Sequence, residues 1–309
     1  MLDDLDPASV AVGAAILPLA WIGSKLLGSL RNHAHRDRSV RGFKVVITGS
    51  SRGLGYALAD QFLQFGDDVV ISSRDMSACE RAAAQLREKH PARKALPHAC
   101  DVRNAEEVES LARFAQEKLG RIDIWVNNAG ISQAHKATLQ HTDAEELRRV
   151  LDTNLLGSIF GARAALQVMR EQEVGGKIFF LDGTGAWGNP TPQNVAYGAA
   201  KRAITQVKDS LNAELKGKHD FSVHIASPGM VATELLLGGD KDPRATKIIN
   251  ILAEEAEVVA AWMVPRMRGV RRSGKYFKFL TPRGVLWRFL TARSRKGRFL
   301  PEGSKLEAH

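Results

Sequence analysis

Phe43-Lys44-Val45-Val46-Ile47-Thr48-Gly49-Ser50-Ser51-Arg52-Gly53-Leu54-Gly55 is the stretch that decides how this chain folds. Phe43 to Thr48 is a mostly apolar run, rich in β-branched residues and too short for a helix, so it reads as a buried strand. Leu54 to Phe65 has a helical period. Three glycines mark the passage from strand into helix. Gly49 permits a tight turn, Gly53 lets the backbone approach a ligand, and Gly55 lets the helix lie close to the strand. The free N–H groups and positive dipole end of such a helix form an anion site. A lone glycine pattern means little; placed between a strand and a helix it points to a bound phosphate.

Working outward, the same alternation continues. Asp68 to Ser72, Ala95 to Cys100, Ile122 to Val126, Lys177 to Leu181 and Ser222 to Ile225 read as further strands. Helical periods cover Ser77 to Lys89, Ala105 to Leu119, and residues 143–172 and 195–216. Continuous apolar strands alternating with helices predict a parallel sheet covered on both faces, a Rossmann-type doubly wound α/β fold in a single domain. The expected divisions are an apolar segment and polar linker over 1–41, a catalytic domain over 42–262, and a basic amphipathic extension over 263–309.

The two ends differ from the body. Ala8 to Ile22 holds no charge, and apolar residues continue to Leu30. A membrane span needs about 20 apolar residues, so a span and an interfacial helix are both open, with a packing helix third. Asp3, Asp4 and Asp6 precede the stretch and Lys25, Arg31, Arg36, Arg38 and Arg41 follow it, which places the catalytic body on the cytoplasmic or stromal side. The acidic start does not fit a cleaved signal peptide, and the sequence shows no Arg/Ser-rich transit peptide, which leaves a mature chain, a truncated one and a source that needs none all open. The formal net charge is +10. No Asp or Glu occurs from Val264 to Leu300, while Trp287, Phe289, Leu290 and Phe299 stand among the arginines and lysines. That mixture favours an anionic membrane surface over nucleic acid, for which no binding motif is present. Cys79 and Cys100 make no disulfide framework, and no cysteine or histidine has metal-ligand spacing, so no metal is expected.

The second strand ends in Ser72-Ser73-Arg74-Asp75. A carboxylate usually binds the adenosine ribose of NAD at this place. Here Ser73 occupies it, Arg74 follows, and Arg52 of the glycine loop is expected to face the same ribose. Two guanidinium groups suit a 2′-phosphate, so the expected cofactor is NADP(H). Asp75 reads as a turn or helix-cap residue.

Tyr197 and Lys201 fall one turn apart on one helix face. Hydride addition to a carbonyl leaves an oxyanion that needs a proton, and a lysine ammonium is expected to lower a tyrosine's pKa toward neutrality. With the glycine loop, Asn127-Asn128-Ala129-Gly130 after the fourth strand and Ser227-Pro228-Gly229 after the sixth, this pair resembles the short-chain dehydrogenases over residues 43–235. The resemblance implies that Lys201 also holds the nicotinamide ribose and that Asn154 supports a water relay to it. It assigns to the cofactor Thr48, Gly49, Ser51, Arg52, Gly53, Leu54, Gly55, Ser73, Arg74, Asp101, Val102, Asn128, Ala129, Gly130, Tyr197, Lys201, Pro228, Gly229, Val231 and Thr233. The family's usual serine, thirteen residues before the tyrosine, is Thr184 here; its hydroxyl is the expected partner of Tyr197 on the carbonyl.

Asp182-Gly183, with Tyr56 to Asp75, Asp123 to Gly130, Ser227 to Leu237 and Leu252 to Val270, further resembles the chlorophyll b reductases over residues 43–303. That resemblance implies NADPH-dependent reduction of the 7-formyl group of chlorophyll b to a hydroxymethyl group. It also implies a stromal-side thylakoid location and a homo-oligomer or pairing with a related reductase. Leu235-Leu236-Leu237 falls where a substrate lid is expected, with packing on the body the equal alternative, and Trp187 is a candidate either for a pocket wall or for packing. The alternatives are a membrane-associated reductase of a lipid or sterol carbonyl, and a non-catalytic NADPH-binding partner of pigment–protein complexes.

Overall fold

The computed structural model describes residues 42–301 except 135, 173, 218–220 and 239–242. The chain divides after Arg41 into two units. The expected apolar segment and linker of residues 1–41 lie outside the described residues, as do residues 302–309.

Among the described residues the sheet has seven strands: β1 (Lys44–Thr48), β2 (Asp68–Ser73), β3 (Ala95–Ala99), β4 (Ile124–Asn127), β5 (Gly176–Leu181), β6 (Phe221–Ser227) and β7 (Tyr276–Lys278). Their order is β3-β2-β1-β4-β5-β6-β7, and every pair is parallel. Val45 of β1 pairs with Val69 on one side and Ile124 on the other. Chain order reverses between β1 and β4, which opens a crevice at the strands' C-terminal ends.

Helices α1 (Gly53–Gln64), α2 (Met76–Lys89), α3 (Ala105–Leu119), α4 (Ala144–Leu151), α5 (Gly157–Arg170) and α6 (Val195–Glu214) follow the strands. Alternation along β1 divides the core in two. Val45 and Ile47 pack with Leu58 and Phe62 of α1, and Val46 packs with Trp125, Phe180, Leu111 and Val168. All six expected strands and the first three helices fall within one or two residues of the reading. The single helix expected over 143–172 is broken at a π turn, Asp152–Leu156, between α4 and α5.

Beyond β6 the chain continues as α7 (Glu234–Leu237), α8 (Pro243–Leu252), α9 (Ala256–Gly269), β7 and α10 (Pro282–Leu290). Across the boundary expected at 262/263, α9 runs without a break, packs on α1, and leads into β7, the sheet's seventh strand. Four of the basic residues beyond it are half-buried and ion-paired. Arg268 bonds the fully buried Asp67 at 2.9 Å. Arg288, Arg295 and Arg298 converge on Glu254, at 3.1, 3.3 and 2.6 Å. Local composition concealed this because the carboxylates lie far away in sequence. Among the described residues no helix is long and apolar enough to cross a membrane.

Candidate active site

The residues singled out in the sequence meet at one edge of the sheet, because loops after parallel strands all leave from their C-terminal ends. Thr48, Gly49, Ser51, Arg52, Gly53, Leu54 and Gly55 form the turn from β1 into α1. Ser73 and Arg74 follow β2; Asp101 and Val102 follow β3; Asn128, Ala129 and Gly130 follow β4; Pro228, Gly229, Val231 and Thr233 follow β6.

Asn128 stitches the first and fourth of these groups together. Its Nδ2 donates to the carbonyls of Thr48 and Gly49, each at 2.8 Å. Gly55 is required by the same packing, since a Cβ there would lie 2.4 Å from the Gly49 carbonyl and 2.5 Å from Asn128 Nδ2. Arg52 at the α1 N-cap provides no side-chain acceptor. The first-turn N–H groups of α1 therefore remain available, which fits a pyrophosphate. Thr233 faces Gly53 across the crevice, its methyl 3.3 Å from where a Gly53 Cβ would stand.

The ribose end partly departs from expectation. Arg74 is exposed and has no ion-pair partner among the described residues. Arg52, expected beside it, is instead paired with Glu234 at the start of α7. Both side chains are exposed there, and the guanidinium takes the nearest carboxylate. Asp75 caps α2, accepting from Ala78 N at 3.3 Å. Asp101 is held by Arg103, with Nε–Oδ distances of 3.0 Å, and that hydrogen bond keeps its carboxyl below the ordinary range. Val102 is buried against Gly157.

Tyr197 and Lys201 lie in α6. Asn194, just before the helix, ties it to the loop after β4, donating to Ser132 Oγ at 3.0 Å and accepting from Gln133 N at 3.5 Å. The Tyr197 hydroxyl rests on Gly183: a Cβ there would stand 2.2 Å from Oη, so only glycine fits. Lys201 is buried, its Nζ donating to the Leu181 carbonyl at 3.0 Å and standing 5.6 Å from the Tyr197 ring centroid. Asn154 sits in the π turn with both ends of its amide on Ile131, Oδ1 accepting from N at 2.9 Å and Nδ2 donating to O at 2.7 Å. Such turns are frequent at functional sites. Thr184 is exposed, and its hydroxyl has no hydrogen-bond partner among the described residues.

Sequence reasoning missed how Asp182 is held. It is buried and accepts from the Tyr276 hydroxyl of β7. Burial pushes its carboxyl up to about 6, against the Ser227 hydrogen bond and the charges of Lys201 and Lys278. Burial, and then Asp182, push the Tyr197 phenol up to about 12. Burial brings Lys201 down to about 8, with Asp182 opposing. The phenol thus lies above its ordinary value instead of below it, because desolvation and the Asp182 charge both disfavour the phenolate. Asp182-Gly183 stood out in the sequence as an unusual pair. Tyr276 gave no signal, lying in the basic segment. Trp187 is 62% exposed and packs on Tyr276 at 4.8 Å between ring centroids.

The family described as short chain dehydrogenase matches residues 44–242. A chloroplastic chlorophyll(ide) b reductase of Oryza sativa subsp. japonica is 43% identical over 254 residues, covering 80% of this chain and 74% of its own length. A second protein of that plant, named as a probable chloroplastic chlorophyll(ide) b reductase, is 39% identical over 301 residues. That match covers 92% of this chain, which spans 59% of the relative's length. Among solved structures, a short-chain type dehydrogenase/reductase from Mycobacterium marinum is similar with a TM-score of 0.67 and 28% identity, covering 77% of this chain and 93% of that one.

Proposed function

This chain belongs to the short chain dehydrogenase family, and from that premise we propose that it reduces the 7-formyl group of chlorophyll b to a hydroxymethyl group with NADPH. The likeness that carries this reading is the 43% identity to a chlorophyll(ide) b reductase over 80% of the chain. The relatives' chloroplastic names support a plastid setting, and a phytylated pigment supports work at the stromal face of the thylakoid. We place NADPH along the crevice, with its pyrophosphate on the α1 N-terminus, its 2′-phosphate at Ser73 and Arg74, and its nicotinamide end near Pro228, Gly229, Val231 and Thr233.

NADPH, when bound, supplies the hydride. The chain's own residues handle the proton. A phenol with a pKa of about 12 is fully protonated at neutral pH and is a competent donor to an alkoxide. Lys201 stands beside it as a cation and holds the ribose. Asn154 keeps the Ile131 backbone in place for the relay to Lys201. Thr184, with no hydrogen-bond partner among the described residues, offers a second hydroxyl to the carbonyl oxygen. Arg52, released from Glu234, can turn to the 2′-phosphate, and α7 with its leucines serves as the lid.

Incubation of the full chain with NADPH and chlorophyll b in detergent tests this reading. Loss of chlorophyll b in step with NADPH oxidation is expected. Oxidation of NADPH with a sterol or long-chain aldehyde, and none with chlorophyll b, would replace it.

A further inference from the structure

We propose that α10 is a docking helix that lies in the surface of an anionic lipid bilayer beside the catalytic edge. The helix is well defined at its start: Thr281 caps it, accepting from Gly284 N at 3.2 Å, and Pro282 opens the first turn. Its polarity is the reverse of a solvated surface helix. Arg288 turns inward to Glu254 and the Leu252 carbonyl, 5.5 Å over the Phe279 ring. Leu286, Trp287 and Leu290 face outward, 62%, 66% and 71% exposed, with Phe289 at 48%. Arg283, Leu286, Trp287 and Leu290 recur at helical spacing and form one stripe.

The charges around the stripe select its occupant. Arg283 at the first turn, and Arg293 and Lys296 just beyond the helix, are exposed and have no carboxylate partner among the described residues. A second copy of the chain, paired symmetrically, would bring the same cations face to face. An anionic lipid surface satisfies both halves of the pattern, with the apolar stripe at the acyl boundary and the cations among the phosphates.

Placement gives the docking a purpose. Leu280, just before the Thr281 cap of α10, has its Cβ 2.7 Å from where a Cβ on Gly229 would stand. Phe279 N donates to the Ser227 carbonyl at 2.9 Å. The helix packs on α8, which follows the lid helix α7. A substrate held in the bilayer would thus meet the site at the face that rests on the lipid. That purpose rests on the reductase reading; the docking itself does not.

The test uses the full chain with Leu290→Cys carrying a polarity-sensitive fluorophore, since the native Cys79 and Cys100 are buried. With vesicles of phosphatidylglycerol and phosphatidylcholine, the label should shift to the blue and be quenched by brominated acyl chains. The same label at Glu88→Cys, on the exposed side of α2, should not respond. Arg283→Glu with Lys296→Glu should weaken the local signal at least tenfold, at about fivefold per cation. NADPH binding confirms that each labelled chain is folded, and Leu286→Cys serves if the first does not fold. A Leu290 label that stays unquenched while vesicles retain the protein would overturn the proposal. So would a label already blue-shifted without vesicles, which would mean that this chain or a second copy covers the stripe. No readout depends on chlorophyll, so failure here leaves the reductase reading standing.

Discussion

In the proposed reduction Tyr197 releases a proton from a site whose burial favours keeping it, and the groups around it set the pH at which that reaction would run. Lys201 must stay charged, and burial has brought it down to about 8. For carbonyl reduction, kcat/KM should therefore fall as pH rises past about 8. Asp182 raises the Lys201 pKa, so Asp182→Asn should move that alkaline limb to lower pH. A pH–rate profile checks this; a limb that does not move would remove Asp182 from the proton network. Thr184 carries a separate claim. Thr184→Ser should keep its activity because the hydroxyl remains, whereas Thr184→Ala should lower kcat by about 10²-fold, as loss of an oxyanion donor does. Full activity in the alanine variant would leave Tyr197 as the sole donor. At this scale the tyrosine, lysine and glycines were legible because their spacing is local. Asp182's partner Tyr276 was not, because the two are 94 residues apart.

Among elements, β1 with its glycine turn and α6 were readable from their periods alone. The π turn was not, since Asp152 to Leu156 continues the helical pattern of its neighbours and only one extra residue per turn changes. The C-terminal elements were hidden for another reason. β7 has three residues, and the arginines beyond it are held by carboxylates outside their own stretch. Glu254 is the pivot. Burial raises its pKa, but Arg298, Arg288 and Arg295 together hold it below the ordinary range. Its contribution is complete above about pH 4.3, the unfolded value, and is lost as pH falls through the lower folded one. Glu254→Gln leaves three largely buried guanidinium groups short of a counterion and should cost about 3 kcal/mol. A lower Tm with faster tryptic cleavage after residue 282 is the expected outcome; an unchanged Tm would show that the carbonyls alone hold the arginines. At the end of β2, Arg74→Asp should shift the NADPH-over-NADH preference by at least about tenfold, because a carboxylate repels the 2′-phosphate. Titration of both cofactors by fluorescence measures it, and an unshifted preference would place the phosphate elsewhere.

On the scale of the whole molecule, the seven-stranded parallel sheet puts residues from 48 to 233 on one edge, and the central claim is that this edge moves a hydride to a formyl carbon. The sequence made the edge legible because each strand–loop–helix unit announces itself. Its extension through β7 and α10 depends on contacts that no local pattern records. NADPH bearing deuterium at the transferable position tests the claim most directly. The full chain should place one deuterium on the C7 hydroxymethyl carbon of the product, detected by mass spectrometry, and Tyr197→Phe should slow that transfer by at least about 10²-fold. Deuterium appearing elsewhere, or a Tyr197→Phe chain that transfers it as fast, would contradict the account.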